Sequence, residues 1–291
     1  NDYYTHADLI NQLVVPKQGF DSFIVHDELN DDLTKNHKEL LKKMSGLKQD
    51  KKNFFLYLHY SKIHTGIMNE VLKVYDNNSK EFFDNKTKNK QRYDVLFKNA
   101  EIYLQSILDE INNLGLEKDS LILVMSDHGI SIGEKFGERA YGAFCYDYTL
   151  RTFGYFLFPG MDPKEIPQQV RLIDYMPTIL DYLKIPLDSN YKKIDGESLF
   201  PLINGENIPE KIAYSETANP LEEKRPPKTP NTKSVRTSKW KLIVNEYNNS
   251  KELYDLENDP DEKDNVIGKY PDMEKMLLNE FLRIQTKGTI K

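Results

Sequence analysis

Residues 93–129 constrain the fold more than any other stretch of this sequence. Tyr93, Leu96, Phe97, Ala100, Leu104, Ile107, Leu108, Ile111 and Leu114 recur at the i, i+3, i+4, i+7 spacing of one helix face. Gly115 follows, where a left-handed residue ends a helix at little steric cost. The run Leu121-Ile122-Leu123-Val124-Met125 is then a strand apolar enough to be covered on both faces. The aromatic run Phe54-Phe55-Leu56-Tyr57-Leu58 lies upstream, so strand, helix and strand succeed one another as in the βαβ unit of a parallel sheet. The later strand ends in Ser126-Asp127-His128-Gly129. Ligands of open α/β sheets bind beyond the carboxyl ends of strands. A carboxylate and an imidazole delivered there together read as metal ligands, and a metal there reads as ester chemistry.

The flanking segments are less definite. Residues 1–50 read as polar and helix-leaning, with a helical stripe through Leu33, Leu40, Leu41, Met44 and Leu47. Residues 76–92, rich in Asn and Lys, read as a solvated loop or helix surface. Residues 153–158 form another aromatic strand, closed by Pro159-Gly160. A helix is expected over residues 178–183, with Pro177 in its first turn and Asp174 as its N-cap. From about residue 205 the pattern becomes that of a small antiparallel sheet, with a strand at 212–215, a hairpin of 234–237 and 239–245, a segment 253–256 before the turn Asn258-Asp259-Pro260, and a terminal amphipathic helix over 273–284. The expected division is residues 1–228 as an α/β core and 229–291 as a C-terminal subdomain, an antiparallel hairpin plus terminal helix.

Composition narrows the function. A net charge of -6 with both signs interspersed argues against a nucleic-acid partner. No run is apolar enough to span a membrane. Cys145 is the only cysteine, so no intramolecular disulfide can form. That and the lack of a visible signal peptide lean the expected compartment towards the cytoplasm. Oligomeric state is not legible.

Several segments, in order, resemble the sulfatases of the alkaline phosphatase superfamily. Gly19-Phe20-Asp21-Ser22-Phe23 is similar to their glycine-phenylalanine-aspartate segment, and residues 54–58 followed by Ile63-His64-Thr65 to their core strand and active-site histidine. Ser126-Asp127-His128-Gly129 resembles their second metal-binding motif, and residues 170–178 the start of a helix after the core. Asp195-Gly196-Glu197-Ser198-Leu199 follows in place, and residues 234–260 resemble the C-terminal subdomain. The resemblance covers roughly residues 19–267 and implies an α/β fold: a mostly parallel, alkaline phosphatase-like sheet flanked by helices, with a smaller C-terminal α+β subdomain.

The sequence also departs from the family pattern. The paired aspartates and the Cys or Ser nucleophile motif are not found, and Cys145-Tyr146-Asp147 does not match that motif. The chain is therefore expected to be a C-terminal portion that needs an upstream nucleophile segment and is inactive alone. After the metal motif the sequence reads Gly133-Glu134-Lys135-Phe136-Gly137, and the family's later lysine position holds Gly142. The resemblance implies Asp127 and His128 as metal ligands, Ca²⁺ first. Mn²⁺ or Zn²⁺ are the alternatives, because imidazole suits transition metals. His64 is then the catalytic group at the ester's leaving oxygen. Lys135 and Arg139 are the candidates for a cation that faces an anionic sulfate or phosphate ester, with a place in a solvated loop as the alternative for each; Lys62 is either a surface charge or a further contact. His59 and Cys145 read as core residues, and Arg171 and Asp174 as capping residues. The implied function is sulfate ester hydrolysis. Alternatives are a phosphodiesterase or phosphoryl transferase of the same superfamily, and an inactive sulfatase-like binding domain.

Overall fold

The computed structural model describes residues 2–27, 29–73, 80–187, 194–219 and 229–288. In chain order the elements are β1 (Tyr3–Leu9), β2 (Ser22–Val25), α1 (Leu33–Gln49), β3 (Asn53–Leu58), α2 (Lys62–Gly66), α3 (Glu81–Asp84), α4 (Lys86–Asn113), β4 (Ile122–Met125), α5 (Asp147–Leu150), β5 (Gly154–Leu157), α6 (Tyr175–Tyr182), α7 (Phe200–Ile203), β6 (Ala213–Thr217), β7 (Thr232–Arg236), β8 (Trp240–Asn245), β9 (Ser250–Asp255) and α8 (Pro271–Gly288). A π-helical stretch continues α2 over Ile67–Leu72, and a 3₁₀ turn, Leu172–Asp174, precedes α6. The chain separates into two compact units. The first comprises Asn1–Val124, Ile132–Ala140 and Gly154–Met161; the second comprises Met125–Ser131, Tyr141–Phe153 and Asp162–Lys291.

In the first unit β1 lies between β2 and β3 and pairs in parallel with both. This corrects the helical reading of residues 1–50, of which only α1 is helix. The strand signal is masked because β1 alternates His6 and Asp8 with Ala7 and Leu9, yet all four are buried, as in a strand covered on both faces. Asp32 caps α1 by accepting the Lys35 N–H at 3.1 Å. Leu41 of α1, Ile107 and Ile111 of α4, and Leu116 form a core against which Phe54 and Leu56 of β3 and Ile122 of β4 pack. β4 is hydrogen-bonded to β5 in a separate two-stranded sheet.

The long helix ends as its sequence predicts. Gly115 adopts φ +63°, its N–H reaches Asn112 O, and the Leu116 N–H reaches Ile111 O, which together make a Schellman cap. It starts earlier than the stripe from Tyr93 suggests: α4 begins at Lys86, so from there the polar stretch is the helix surface rather than the loop of the two readings. Lys, Gln and Arg are good helix formers with solvated side chains. Buried Asn89 anchors this turn by donating to Phe82 O (2.8 Å) and Ile132 O (3.0 Å). Residues 74–79 of that stretch lie outside the described residues.

In the second unit β6–β7–β8–β9 is a continuous antiparallel meander. Val235, Leu242 and Leu253 from three of its strands meet Leu277 and Phe281 of α8. A second cluster joins Cys145 and Tyr146 to Ile243, Tyr254 and Leu256, so the lone cysteine is fully buried core. The α/β architecture with a parallel sheet and a C-terminal α+β part is thus present. Asp174 occupies the N-cap position of α6 but makes no capping bond there. Its carboxylate instead takes the Arg171 guanidinium (2.7 Å) and the Glu197 N–H (3.0 Å). Among the described residues no helix is long and apolar enough to cross a membrane.

Candidate functional site

The Asp127-His128 pair stands in the second unit, immediately after β4. Ser126 steers the chain out of the strand: its N–H donates to Phe153 O at 3.2 Å, and its hydroxyl accepts the Phe153 N–H at 3.3 Å. Gly129 then passes tightly beneath Tyr148 and Thr149. Its N–H donates to Thr149 O at 2.7 Å, and a Cβ on it would lie 2.3 Å from Tyr148 O, so only glycine fits. Between these two anchors both side chains are exposed, Asp127 at 79% and His128 at 41%.

Their geometry fixes the imidazole tautomer. His128 Nδ1 lies 2.7 Å from Gly129 O, and a carbonyl only accepts, so Nδ1 carries the proton. Nε2 keeps its lone pair and faces Asp127 Oδ2 at 3.6 Å. The other carboxylate oxygen accepts the His128 N–H at 2.9 Å. The Tyr141 ring packs against the imidazole with centroids 4.4 Å apart.

The remaining expected site residues belong to the first unit. His64 is exposed on α2. Lys62, two residues earlier, lines an open cleft of 380 Å³ with Tyr60, Thr65, Asn69 and Glu70. Lys135 is half-buried in the loop after residue 131, and its carbonyl accepts the Glu138 N–H at 3.4 Å. Arg139 donates from Nη2 to Leu72 O at 2.8 Å and lies 5.5 Å from the centroid of the Phe82 ring. His59, expected in the core, follows β3 and donates its backbone N–H to Asp8 O at 2.9 Å.

One polar cluster escapes the sequence reading. Asp8, His26 and His37 are buried together and offer ligand atoms within 4.8 Å of one another. It is the one group of three or more such residues found among the described residues. Asp8 Oδ1 contacts His26 Nδ1 at 2.5 Å, and His26 Nε2 contacts Ser61 Oγ at 3.0 Å. Burial acts to raise the Asp8 carboxyl, but His37 and His26 outweigh it and hold the group below the ordinary carboxylate range. Burial, with Lys43 second, lowers the neighbouring His6 imidazole. The available signal was the period-two pair His6-x-Asp8 in a short aromatic, β-branched run.

The sulfatase family profile matches residues 2–185, well over half of the chain. The chain belongs to the sulfatase family. A second profile, N-sulphoglucosamine sulphohydrolase, C-terminal, matches residues 139–287. The chain is 27% identical over 191 residues to arylsulfatase K of Bos taurus, covering 64% of the chain and 34% of that protein. It is 28% identical over 160 residues to choline-sulfatase of Rhizobium meliloti (strain 1021), covering 55% and 29%. The chain therefore spans about a third of the length of the curated relatives it matches. Among solved structures, a 2-O GAG sulfatase superposes with a TM-score of 0.70 at 16% identity, over 99% of this chain and 74% of that one. A protein solved with its substrate D-glucosamine-2-N,6-O-disulfate gives 0.62 at 18% identity, over 98% and 80%.

Proposed function

We propose that this sulfatase takes part in hydrolysis of sulfate esters, with Asp127 and His128 as ligands of a divalent cation. The observation that carries the reading is the exposed carboxylate–imidazole pair held at the end of β4 in a sulfatase-family chain. The relatives named arylsulfatase K and choline-sulfatase support a sulfate rather than a phosphate ester. The donor chemistry fits a cation. Gly129 O keeps the imidazole proton on the outer nitrogen, so Nε2 and Asp127 Oδ2 turn to the same side. Ca²⁺ takes mostly oxygen ligands, and this pair supplies only one carboxylate towards them. The imidazole suits Mn²⁺ or Zn²⁺. We keep Ca²⁺ first, on the family resemblance.

A cation held there stabilises charge on the ester oxygens. His64 takes the place of the group that protonates the leaving oxygen. Lys135 and Arg139 supply positive charge to the anionic ester.

The test assays para-nitrophenyl sulfate and bis(para-nitrophenyl) phosphate in parallel, with this chain and with the intact gene product, in Ca²⁺, Mn²⁺ or Zn²⁺. Turnover of the sulfate by the intact product, lost in Asp127→Ala, is expected. Turnover of the diester alone, or sulfate turnover indifferent to Asp127→Ala, overturns the reading.

A further inference from the structure

The geometry points to a second, buried transition-metal site in the first unit, formed by Asp8, His26 and His37. It is separate in sequence from Asp127-His128, and its argument does not depend on the sulfate ester reading.

Three observations carry it. The first is the donor set. Asp8 is 3% exposed, His26 5% and His37 0%, so three residues that bind Zn²⁺-like cations are withdrawn from water together. His6 and Asp8 are two apart on β1 and therefore share one face of the strand. The second is what these side chains lack. His37 Nε2 has no hydrogen-bond partner and lies 3.7 Å from Asp8 Oδ2, and neither ring nitrogen of His6 has a partner. Buried polar atoms without partners are rare and costly, and a cation between such an atom and a carboxylate would satisfy both. The third is the outer partners. His26 Nε2 contacts Ser61 Oγ at 3.0 Å, and His37 Nδ1 contacts Tyr103 Oη at 2.5 Å. Each hydroxyl oxygen can accept the one proton a neutral imidazole retains, which leaves His26 Nδ1 and His37 Nε2 turned inward as lone pairs. Outer hydrogen bonds of this kind orient metal-binding histidines in general.

The distances suit a small cation. Tetrahedral Zn²⁺ with bonds near 2.1 Å sets its ligand atoms about 3.4 Å apart. The Asp8 Oδ2–His37 Nε2 contact, 3.7 Å, lies near that value, and one ligand atom from each of the three residues falls within 4.8 Å of the others. On binding, the proton between Asp8 and His26 moves to His26 Nε2 and is held by Ser61, so no proton need leave. The line Ser61–His26–Asp8 also has the order of an activated serine. Ser61 is only 1% exposed, which leaves no approach for an ester carbonyl, whereas an ion needs no such opening. A closed, water-free site is that of a structural metal.

The experiment adds Zn²⁺ to the EDTA-treated chain and follows binding by calorimetry, melting temperature and X-ray absorption. One Zn²⁺ per chain with at least two imidazole ligands, and a raised melting temperature, is expected. Ser61→Ala should weaken binding about 10- to 100-fold, and His37→Gln should weaken it further. The double variant Asp127→Asn, His128→Ala should retain the site. Loss of tight binding in that double variant, or an absorption spectrum with fewer than two imidazoles on the bound ion, overturns the inference. The spectrum needs no variant, so it decides even if His37→Gln fails to fold.

Discussion

Two buried polar clusters, one in each unit, answer the cost of burial in opposite ways. In the second unit Asp147 is held by the Arg236 guanidinium at 2.7 Å and by Lys241 Nζ at 2.9 Å. Lys241, fully buried, also reaches Glu262 at 2.8 Å, and Glu262 accepts the Asp147 N–H at 2.6 Å. Anions there meet cations, and the network ties α5 to β7 and β8. In the first unit a single carboxylate meets His26, while His37 Nε2 and both ring nitrogens of His6 have no hydrogen-bond partner. The first arrangement is complete as protein. The second, in our proposal, is completed by a cation. Burial alone does not separate structure from site; the balance of donors and acceptors does.

The largest effect that could break this contrast is Lys241→Met. It strands Asp147 and Glu262 in the interior, and a loss of about 3–5 kcal/mol is expected in denaturant unfolding. A loss below about 1 kcal/mol would show the network to be dispensable.

Acid probes the same network. Lys241 and Arg236 overcome burial and hold the Asp147 carboxyl at about 2, against an ordinary 3.8. A depressed folded-state value stabilises above the unfolded one and is lost as pH falls, here between about 4 and 2. The contribution is about 2 kcal/mol. Burial raises Glu262 instead, so its ionised form costs stability at neutral pH and protonation relieves that cost at milder acidity. A melting-temperature profile should therefore rise slightly on acidification before it falls. Glu262→Gln should flatten the rise, and Asp147→Asn should remove the fall.

His6→Leu tests the other cluster. An imidazole with no partner gives up little when replaced by an apolar side chain of similar size. The metal-free protein should keep its stability or gain about 1 kcal/mol. A loss above about 2 kcal/mol would mean that His6 has polar support in the folded state. The smallest effect is expected at the exposed pair: Asp127→Asn and His128→Ala should each shift stability by less than about 0.5 kcal/mol, even where they abolish metal binding at the strand end.

The elements with strong periodicity were legible in the sequence. The stripe of α4, its Gly115 cap, the strands β3 and β4 and the hairpin of β7 and β8 all follow from spacing and turn chemistry; β9 does not. Asp127 and His128 were legible because an apolar run delivers them together. β1 was not, because the residues that make it central are His6 and Asp8, whose polarity reads as solvent exposure until their partners are known. Those partners, His26 and His37, come from a strand end and a helix, and no local pattern joins them. The start of α4 was hidden for a similar reason: Asn89 looks like a loop residue but serves as a buried donor to two carbonyls.

The pleat of β1 has a further consequence. His6 and Asp8 point to one side, Ala7 and Leu9 to the other, and both sides are covered. A slip of one residue against β2 and β3 would turn the ionisable pair into the space of an alanine and a leucine. The strand can be read in only one frame, and His6 and Asp8 act as its punctuation.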